Sequence, residues 1–421
     1  MAQAPYLEKH ANSEVSAVAH SEASAEDHFT WVDGTDFTAS DTYLVLESAH
    51  IRSMTNDVVM SMKALVDGAD PVAGTWQVSQ EQPAGEPNQG MWMDLAYIAS
   101  PAASVKLEVT STGAATSEVF NWSRTMINLG DNTDYVQASN DGAGATVASS
   151  LTTVETITFT PGTSETWLIM GFAFVHGQGN TRMRCLLLDD ADAGVEAHPR
   201  YKSPLRNAGV DTWAQPMSYA VYTGGDGTAE TWEFQLNAEN AATSERYGTY
   251  MIAVNVGGLS SNLKVKSLGA AFNPTTADVE EAVDTVVMDS TPSNPTVLIG
   301  FMCNDPAGSS VQGNGMAYWF TDDDDTTYEP SNWSRVVNDY QVFANHTLHG
   351  SVSNPTMINA VYESPDTATY KTYAEFDDAT NLGQDPIIVA FELDATPAGG
   401  ASHAFGNRRH VGKGQALVTG A

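Results

Sequence analysis

Apolar and polar positions alternate along most of this chain. Val105, Leu107 and Val109 alternate with Lys106 and Glu108, and Trp232, Phe234 and Leu236 with Glu233 and Gln235. Tyr370, Thr372, Ala374 and Phe376 do the same around Lys371 and Glu375. A period of two places successive side chains on opposite faces of a strand, so these runs predict half-buried β-sheet rather than helix. A second kind of run is apolar on both faces, as from Thr166 to Phe174. Such a strand predicts a central position covered on both sides. Asp-Gly at 33, 67, 141 and 226 and Gly-Gly at 224, 257 and 399 separate the runs with hairpin and loop chemistry.

The runs recur in a fixed order. Tyr43-Leu44-Val45-Leu46, Trp167-Leu168-Ile169-Met170 and Val297-Leu298-Ile299-Gly300 each open a copy, and the first residues of these strings stand 124 and 130 residues apart. An alternating run that ends in acid follows: Val59 to Asp67, Met183 to Asp190, Met316 to Asp322. Then come a Met-rich run (Met91 to Tyr97, Met217 to Tyr222, Met357 to Tyr362), the alternating run above, and a closing apolar piece that includes Met126 to Leu129, Ile252 to Val256 or Ile387 to Phe391. A period this long is domain-sized, so each copy carries its own core and is no solenoid repeat. The expected fold is all-β, with about three tandem antiparallel β-sandwiches, jelly-roll-like, of roughly six to eight strands each. The expected boundaries are an N-terminal arm over 1–27, repeats over 28–152, 153–281 and 282–395, and a C-terminal arm over 396–421. Short helices are expected within residues 8–26 and from Thr276 to Val283.

Charge narrows the partners. The 52 Asp plus Glu against 18 Lys plus Arg give a net charge of -34. Such a chain repels nucleic-acid phosphates and suits salty water, where screening relieves its self-repulsion. No stretch approaches the roughly 20 apolar residues that cross a bilayer. The opening Met1-Ala2-Gln3-Ala4-Pro5 lacks a basic-then-apolar secretory pattern, so the expectation is synthesis in a cytoplasm, with no nucleic-acid or membrane partner. Cys185 and Cys303 fall in or beside strand runs of different copies and read as buried thiols.

Local enzyme motifs are absent: no His-Glu-x-x-His, no Gly-x-Ser-x-Gly and no Cys-x-x-Cys occurs. The Gly-Lys-Gly near Lys413 has the wrong spacing for a phosphate loop, and His346 with His349 lacks further zinc ligands nearby. The chain reads as a non-enzyme with no cofactor. Acidic turns are the one candidate ion site. Asp189, Asp190 and Asp192 occupy the place in copy two that Asp322, Asp323 and Asp324 occupy in copy three. Calcium takes six to eight oxygens, which carboxylates and loop carbonyls at a strand end supply, and acids capping a strand end toward water give the same pattern. Trp76, Trp92, Trp122, Trp213 and Trp333 lie outside the most regular runs, where exposed rings would stack on sugar. Arg408, Arg409, His410 and Lys413 form a basic cluster in the C-terminal arm, suited to docking on the acidic body of a neighbour.

These Ala-, Thr-, Gly- and Asp-rich repeats without an export signal resemble the tandem β-sandwich structural proteins of tailed viruses, over roughly residues 28–395. That resemblance implies a virion location and an accessory surface part: a capsid decoration protein, or a head or tail spike or fibre. It implies copies of itself and other virion proteins as partners, with host surface glycan as a further one. A glycan-binding adhesion module and a carbohydrate-active enzyme with carboxylates distant in sequence are the alternative readings.

Overall fold

A computed structural model describes residues 6–11, 18–20, 26–32, 41–53, 59–67, 77–81, 90–99, 104–111, 117–130, 134–140, 144–178, 182–189, 196–204, 211–238, 244–260, 262–277, 279–306, 316–322, 334–335, 354–362, 365–376 and 379–393. The period-two runs are strands. The first roll contains β1 (Tyr6–Ala11), β2 (Val18–His20), β3 (Glu26–Val32), β4 (Thr42–Ser53), β5 (Val59–Val66), β6 (Gln77–Glu81), β7 (Gly90–Ala99), β8 (Ser104–Ser111) and β9 (Ser117–Gly130). The second contains β10 (Tyr135–Asn140), β11 (Ala145–Thr146), β12 (Thr152–Phe159), β13 (Thr166–Gln178), β14 (Arg182–Asp189), β15 (Glu196–Pro204), β16 (Asp211–Ala214), β17 (Met217–Thr223), β18 (Glu230–Ala238) and β19 (Ser244–Asn255). The third contains β20 (Leu263–Ser267), β21 (Glu281–Val287), β22 (Thr296–Pro306), β23 (Met316–Asp322), β24 (Ser334–Arg335), β25 (Asn354–Tyr362), β26 (Thr369–Phe376) and β27 (Asn381–Glu392).

Strand order identifies each unit as a jelly roll. One sheet, called inner below, runs β1-β9-β4-β7 in the first roll, β10-β19-β13-β17 in the second and β20-β27-β22-β25 in the third. The other, outer sheet runs β3-β8-β5-β6, β12-β18-β14-β15 and β21-β26-β23-β24. With the principal strands of a roll counted in chain order, the inner sheet reads first-eighth-third-sixth and the outer second-seventh-fourth-fifth, three times over. Between rolls, β16 pairs with β13 and meets β6 at Thr212 and Gln80, so the first outer sheet and the second inner sheet are hydrogen-bonded into one.

The strands that are apolar on both faces are the third strands, and they divide their side chains between two cores. Trp167, Ile169, Ala173 and Val175 of β13 face Trp232, Phe234 and Leu236 inside the second roll. Leu168, Met170, Phe172 and Phe174 point the other way, into a core shared with Leu44 and Leu46 of the first roll and Val297, Ile299 and Phe301 of the third. In the third roll, Leu298 and Met302 face Tyr318, Phe320 and Tyr370. The three inner sheets therefore pack on one another. Burying an aliphatic or aromatic side chain of this size is worth about 1.5–3 kcal/mol, so a second buried face adds greatly to the stability of each roll. Gly171 and Gly300, at the same register of β13 and β22, let the sheets close. A Cβ on Gly171 would lie 2.5 Å from Phe234 Cδ2, and one on Gly300 would lie 2.8 Å from Ile358 Cγ1.

Three expectations need correction. Residues 6–11, 18–20 and 26–32, placed mostly in an N-terminal arm with a helix over 8–26, are strands: β1 and β2 pair with β9, and β3 with β8. Pairing to a long buried partner overrides the helix propensity of an Ala- and Glu-rich segment. Each later roll also begins one strand earlier than the expected boundaries at 153 and 282, because β10 pairs with β19 and β20 with β27. These first strands lie at sheet edges and are only partly buried, which weakens their pattern. From Thr276 to Val283 there is no helix among the described residues. The Glu281 carboxylate instead accepts hydrogen bonds from the N–H groups of Thr275 (2.6 Å) and Thr276 (3.0 Å), pinning a turn before β21.

Candidate assembly core

The shared core is closed by hydrogen bonds that link all three pairs of rolls. Each seam sets the sixth strand of one roll against the inner sheet of the next. From the first roll to the second, the Ile98 N–H of β7 donates to Tyr250 Oη of β19 at 3.3 Å.

 The Tyr250 hydroxyl gives its own proton to Gln137 Oε1 at 2.9 Å. Gln215, just before β17, takes the Asp94 N–H on Oε1 (3.1 Å) and donates from Nε2 to the Asp94 carbonyl (2.6 Å). From the second roll to the third, Tyr219 of β17 stacks on Phe301 with ring centroids 4.4 Å apart and donates to the Asp385 carbonyl at 3.0 Å. From the third back to the first, Thr125 Oγ1 of β9 donates to Asn359 Oδ1 of β25 at 2.6 Å, and the Met357 N–H donates to Asp94 Oδ2 at 3.2 Å. The sequence of contacts closes on itself, giving the inner sheets an approximate three-fold arrangement.

Register makes the correspondence residue by residue. Asp94, Met217 and Met357 pair with Ser48, Phe172 and Phe301, the same position of the third strand in each roll. Ala96, Tyr219 and Asn359 correspond in the same way, two residues on. At this level the three rolls carry different chemistry. Asp94 is bonded to both of the other rolls, through Gln215 of the second and Met357 of the third.

Inside the first roll, Glu47 and Arg124 stand where the second has Gly171 and Met251 and the third Gly300 and Ile388. Arg124 (1% exposed) pairs through Nη2 with Glu47 Oε1 (2% exposed). Arg124 Nη1 also donates to the Val105 carbonyl at 3.1 Å, and Tyr97 Oη donates to Glu47 Oε2 at 3.2 Å. Burial pushes the Glu47 carboxyl upward, opposed by the Arg124 charge and by hydrogen bonds from Arg124 and Tyr97. In the third roll, the Glu392 carboxylate takes the N–H groups of Ser293 (2.8 Å) and Asn294 (2.9 Å) and the side-chain amides of Asn294 (2.9 Å) and Asn262 (3.1 Å). Asn255 occupies the same register in the second roll and takes the Gly258 N–H at 2.9 Å.

The residues singled out from sequence lie elsewhere. Asp189 ends β14 opposite Trp232. Near it, Tyr222 donates to Glu230 at 3.0 Å, and its hydroxyl is pushed up to about 12 by burial, then by Glu230, Asp189 and Asp226. Asp190, Asp192, Asp323 and Asp324 lie outside the described residues, as do Arg408, Arg409, His410 and Lys413, and Asp322 is described only as the end of β23. Among the described residues, no group of three or more His, Cys, Asp or Glu is placed to hold a metal ion. The side chains of Trp76, Trp92, Trp122, Trp213 and Trp333 also lie outside them. Cys185 and Cys303 are buried thiols, and Cys185 Sγ donates to the Met217 carbonyl at 3.1 Å. No helix among the described residues is long and apolar enough to cross a membrane.

No family model matches the sequence, and no curated protein matches it. Solved structures to which the chain is similar include the atomic structure of Sulfolobus turreted icosahedral virus, at 10% identity over 83% of this chain and 80% of that one, with a TM-score of 0.20. A triple jelly roll described with the turret assembly of an archaeal virus aligns at 8% identity over 93% and 91%, with a TM-score of 0.22. The STIV MCP aligns at 8% identity over 62% of this chain and 97% of that one, with a TM-score of 0.22. The likeness to viral structures is weak, and the jelly-roll assignment stands on the chain's own strand orders.

Proposed function

We propose that this chain is a virion structural protein, an accessory surface component of the capsid decoration, spike or fibre type. The observation that carries this reading is the closure of three jelly rolls around one buried core. Three sandwiches on flexible linkers would reorient freely, but inner sheets that bury a common apolar face and exchange hydrogen bonds at every seam make one rigid block. Rigidity of that kind suits a building part. The acidic body keeps such blocks apart in dilute salt, and its partners are copies of itself and other virion proteins, met through sandwich faces and the terminal segments. The basic cluster Arg408, Arg409, His410 and Lys413 docks on the acidic body of a neighbour.

Light scattering coupled to size exclusion, at low and high salt, tests this on the full chain and on a chain lacking residues 396–421. A defined oligomer that is salt-sensitive and lost on truncation is the expected result. A monomer of 44.9 kDa under every condition would remove self-assembly from the proposal.

A further inference from the structure

We propose that Cys185 of the second roll and Cys303 of the third meet across their seam as an oxidisable pair, which a small two-electron oxidant closes into a disulfide that staples the two rolls. They are the two cysteines of the chain, 118 residues apart, and both are buried thiols, 0% and 1% exposed. Cys303 is carried by β22 of the third roll, yet it belongs to the apolar cluster inside the second roll, the cluster that also holds Cys185. Strand geometry brings both thiols to one residue. Cys185 Sγ donates to the Met217 carbonyl at 3.1 Å, which fixes it against the start of β17. Two residues along β17, Tyr219 stacks on Phe301 with ring centroids 4.4 Å apart, and Cys303 stands two residues beyond Phe301. The sixth strand runs antiparallel to the third in each roll. Under the approximate three-fold arrangement, the steps from Tyr219 to Met217 and from Phe301 to Cys303 therefore lead toward the same end of the block. Met217 is thus level with Cys303 across the seam and bonded to Cys185 within its own roll.

At this seam a covalent link adds a connection of a new kind. The pairing of Thr212 with Gln80 joins the first roll to the second, and among the described residues no strand pairing joins the second to the third. The thiol-selective oxidant diamide, an azodicarboxamide, supplies a balanced route. One thiol adds across its N=N bond, forming an S–N bond. The second sulfur then attacks the first, the S–S bond forms and the S–N bond breaks. The reagent leaves as the hydrazine, having taken both thiol protons and two electrons. Neither thiol is exposed, so the reaction proceeds through local openings of the seam. Both thiols lie in one chain, so the link needs no self-assembly and forms in a monomer as well as in an oligomer.

Diamide treatment of the full chain, in buffer and in urea just below the unfolding midpoint, tests the pair. Free thiols are counted after unfolding, and the chain is digested without reduction for mass spectrometry. The expected result is loss of both thiols together and a linked pair of peptides containing Cys185 and Cys303, within a single chain. Dithiothreitol should restore both thiols, and Cys185→Ala and Cys303→Ala should each form no intrachain link. Because the disulfide closes a long loop in the unfolded chain, the oxidised parent should unfold at a higher urea concentration than the reduced one, and Cys303→Ala should show no such shift. A disulfide needs Cα atoms within about 7 Å, so its formation itself measures how closely the seam brings the two residues. Two thiols that stay free in both conditions, links only between chains, or a link that forms without a rise in the urea midpoint would overturn the proposal.

Discussion

Replacing one member of the Glu47–Arg124 pair should be far more damaging than replacing both. The two groups lie in the interior of the first roll, each almost fully buried, so neither has water to fall back on. Glu47→Leu leaves a guanidinium that no accessible pH can neutralise, with only the Val105 carbonyl among the partners named above, and should cost about 3–5 kcal/mol. Arg124→Met leaves a carboxyl that can take up a proton. Its cost should approach about 3 kcal/mol at neutral pH and shrink in acid. The double variant Glu47→Leu/Arg124→Met supplies apolar side chains where the second roll has Gly171 and Met251, and should be within about 1 kcal/mol of the parent or more stable than it.

The pH dependence follows from the same pair. A carboxyl raised above its usual 4.5 in the folded state holds its proton more tightly there than in the unfolded chain. Its contribution to stability is full below pH 4.5 and is lost as pH rises through the folded value. The double variant should lack that slope. Urea unfolding of all four proteins, followed by far-ultraviolet circular dichroism at pH 5 and pH 7.5, measures these quantities, and the cycle isolates the coupling. Additive single effects, or a Glu47→Leu cost below about 1 kcal/mol, would refute the reasoning.

Gly171→Ala drives a Cβ into the ring of buried Phe234 and should cost about 1–3 kcal/mol in urea unfolding. Gly300→Ala, whose Cβ would lie 2.8 Å from Ile358 Cγ1 and 3.0 Å from Phe320 Cζ, clashes less closely than Gly171→Ala and should cost less. Tyr219→Phe keeps the stack on Phe301 but loses the bond to the Asp385 carbonyl, and should cost about 1 kcal/mol by the same measurement. Burial acts to raise the Glu392 carboxyl, but hydrogen bonds from Asn262, Ser293 and Asn294 outweigh it and hold the group below its usual 4.5. The depressed group contributes stability that is present above pH 4.5 and lost as pH falls through the folded value. Carbon-13 NMR of the side chain should therefore show a midpoint below 4.5, and Glu392→Gln should reduce the acid sensitivity of the third roll.

The strands were legible because a half-buried sheet writes its geometry into neighbouring residues. Phe234 and Leu236 against Gln235 need no distant information, and the two apolar faces of Thr166 to Phe174 announced two layers of cover. The edge strands β10 and β20 were not legible as the start of a roll, since partial burial leaves a mixed pattern and the partner that defines them, β19 or β27, comes more than a hundred residues later. The seams were less legible still. Asp94 and Gln215 are 121 residues apart, Tyr219 and Asp385 166, Thr125 and Asn359 234. Nothing near Asp94 in the chain distinguishes an acid at a junction from one facing water. Arg124 carried one signal, a cation inside an apolar closing strand, but its partner Glu47 lies 77 residues away.

Joining three rolls in one chain permits what three identical chains would not. At the level of Asp94, a symmetric trimer of the first roll would bring three buried carboxylates toward one axis, and like charges out of water repel strongly. Here the corresponding positions hold Met217 and Met357, so a single carboxylate can accept the Met357 N–H in an apolar surrounding. The same holds two residues on, where Ala96, Tyr219 and Asn359 give each seam a different contact. Making the ring more symmetric should therefore act in opposite directions. Met357→Asp sets a second buried carboxylate beside the first and should abolish folding at neutral pH, or cost well over about 3 kcal/mol. Asp94→Met replaces the lone acid with the residue of the other two rolls; it leaves the Met357 N–H without that acceptor but removes a buried charge, and should cost about 1–3 kcal/mol. Thermal unfolding of the two variants side by side decides the point, and a Met357→Asp protein as stable as Asp94→Met would mean that the three positions do not converge as their register implies.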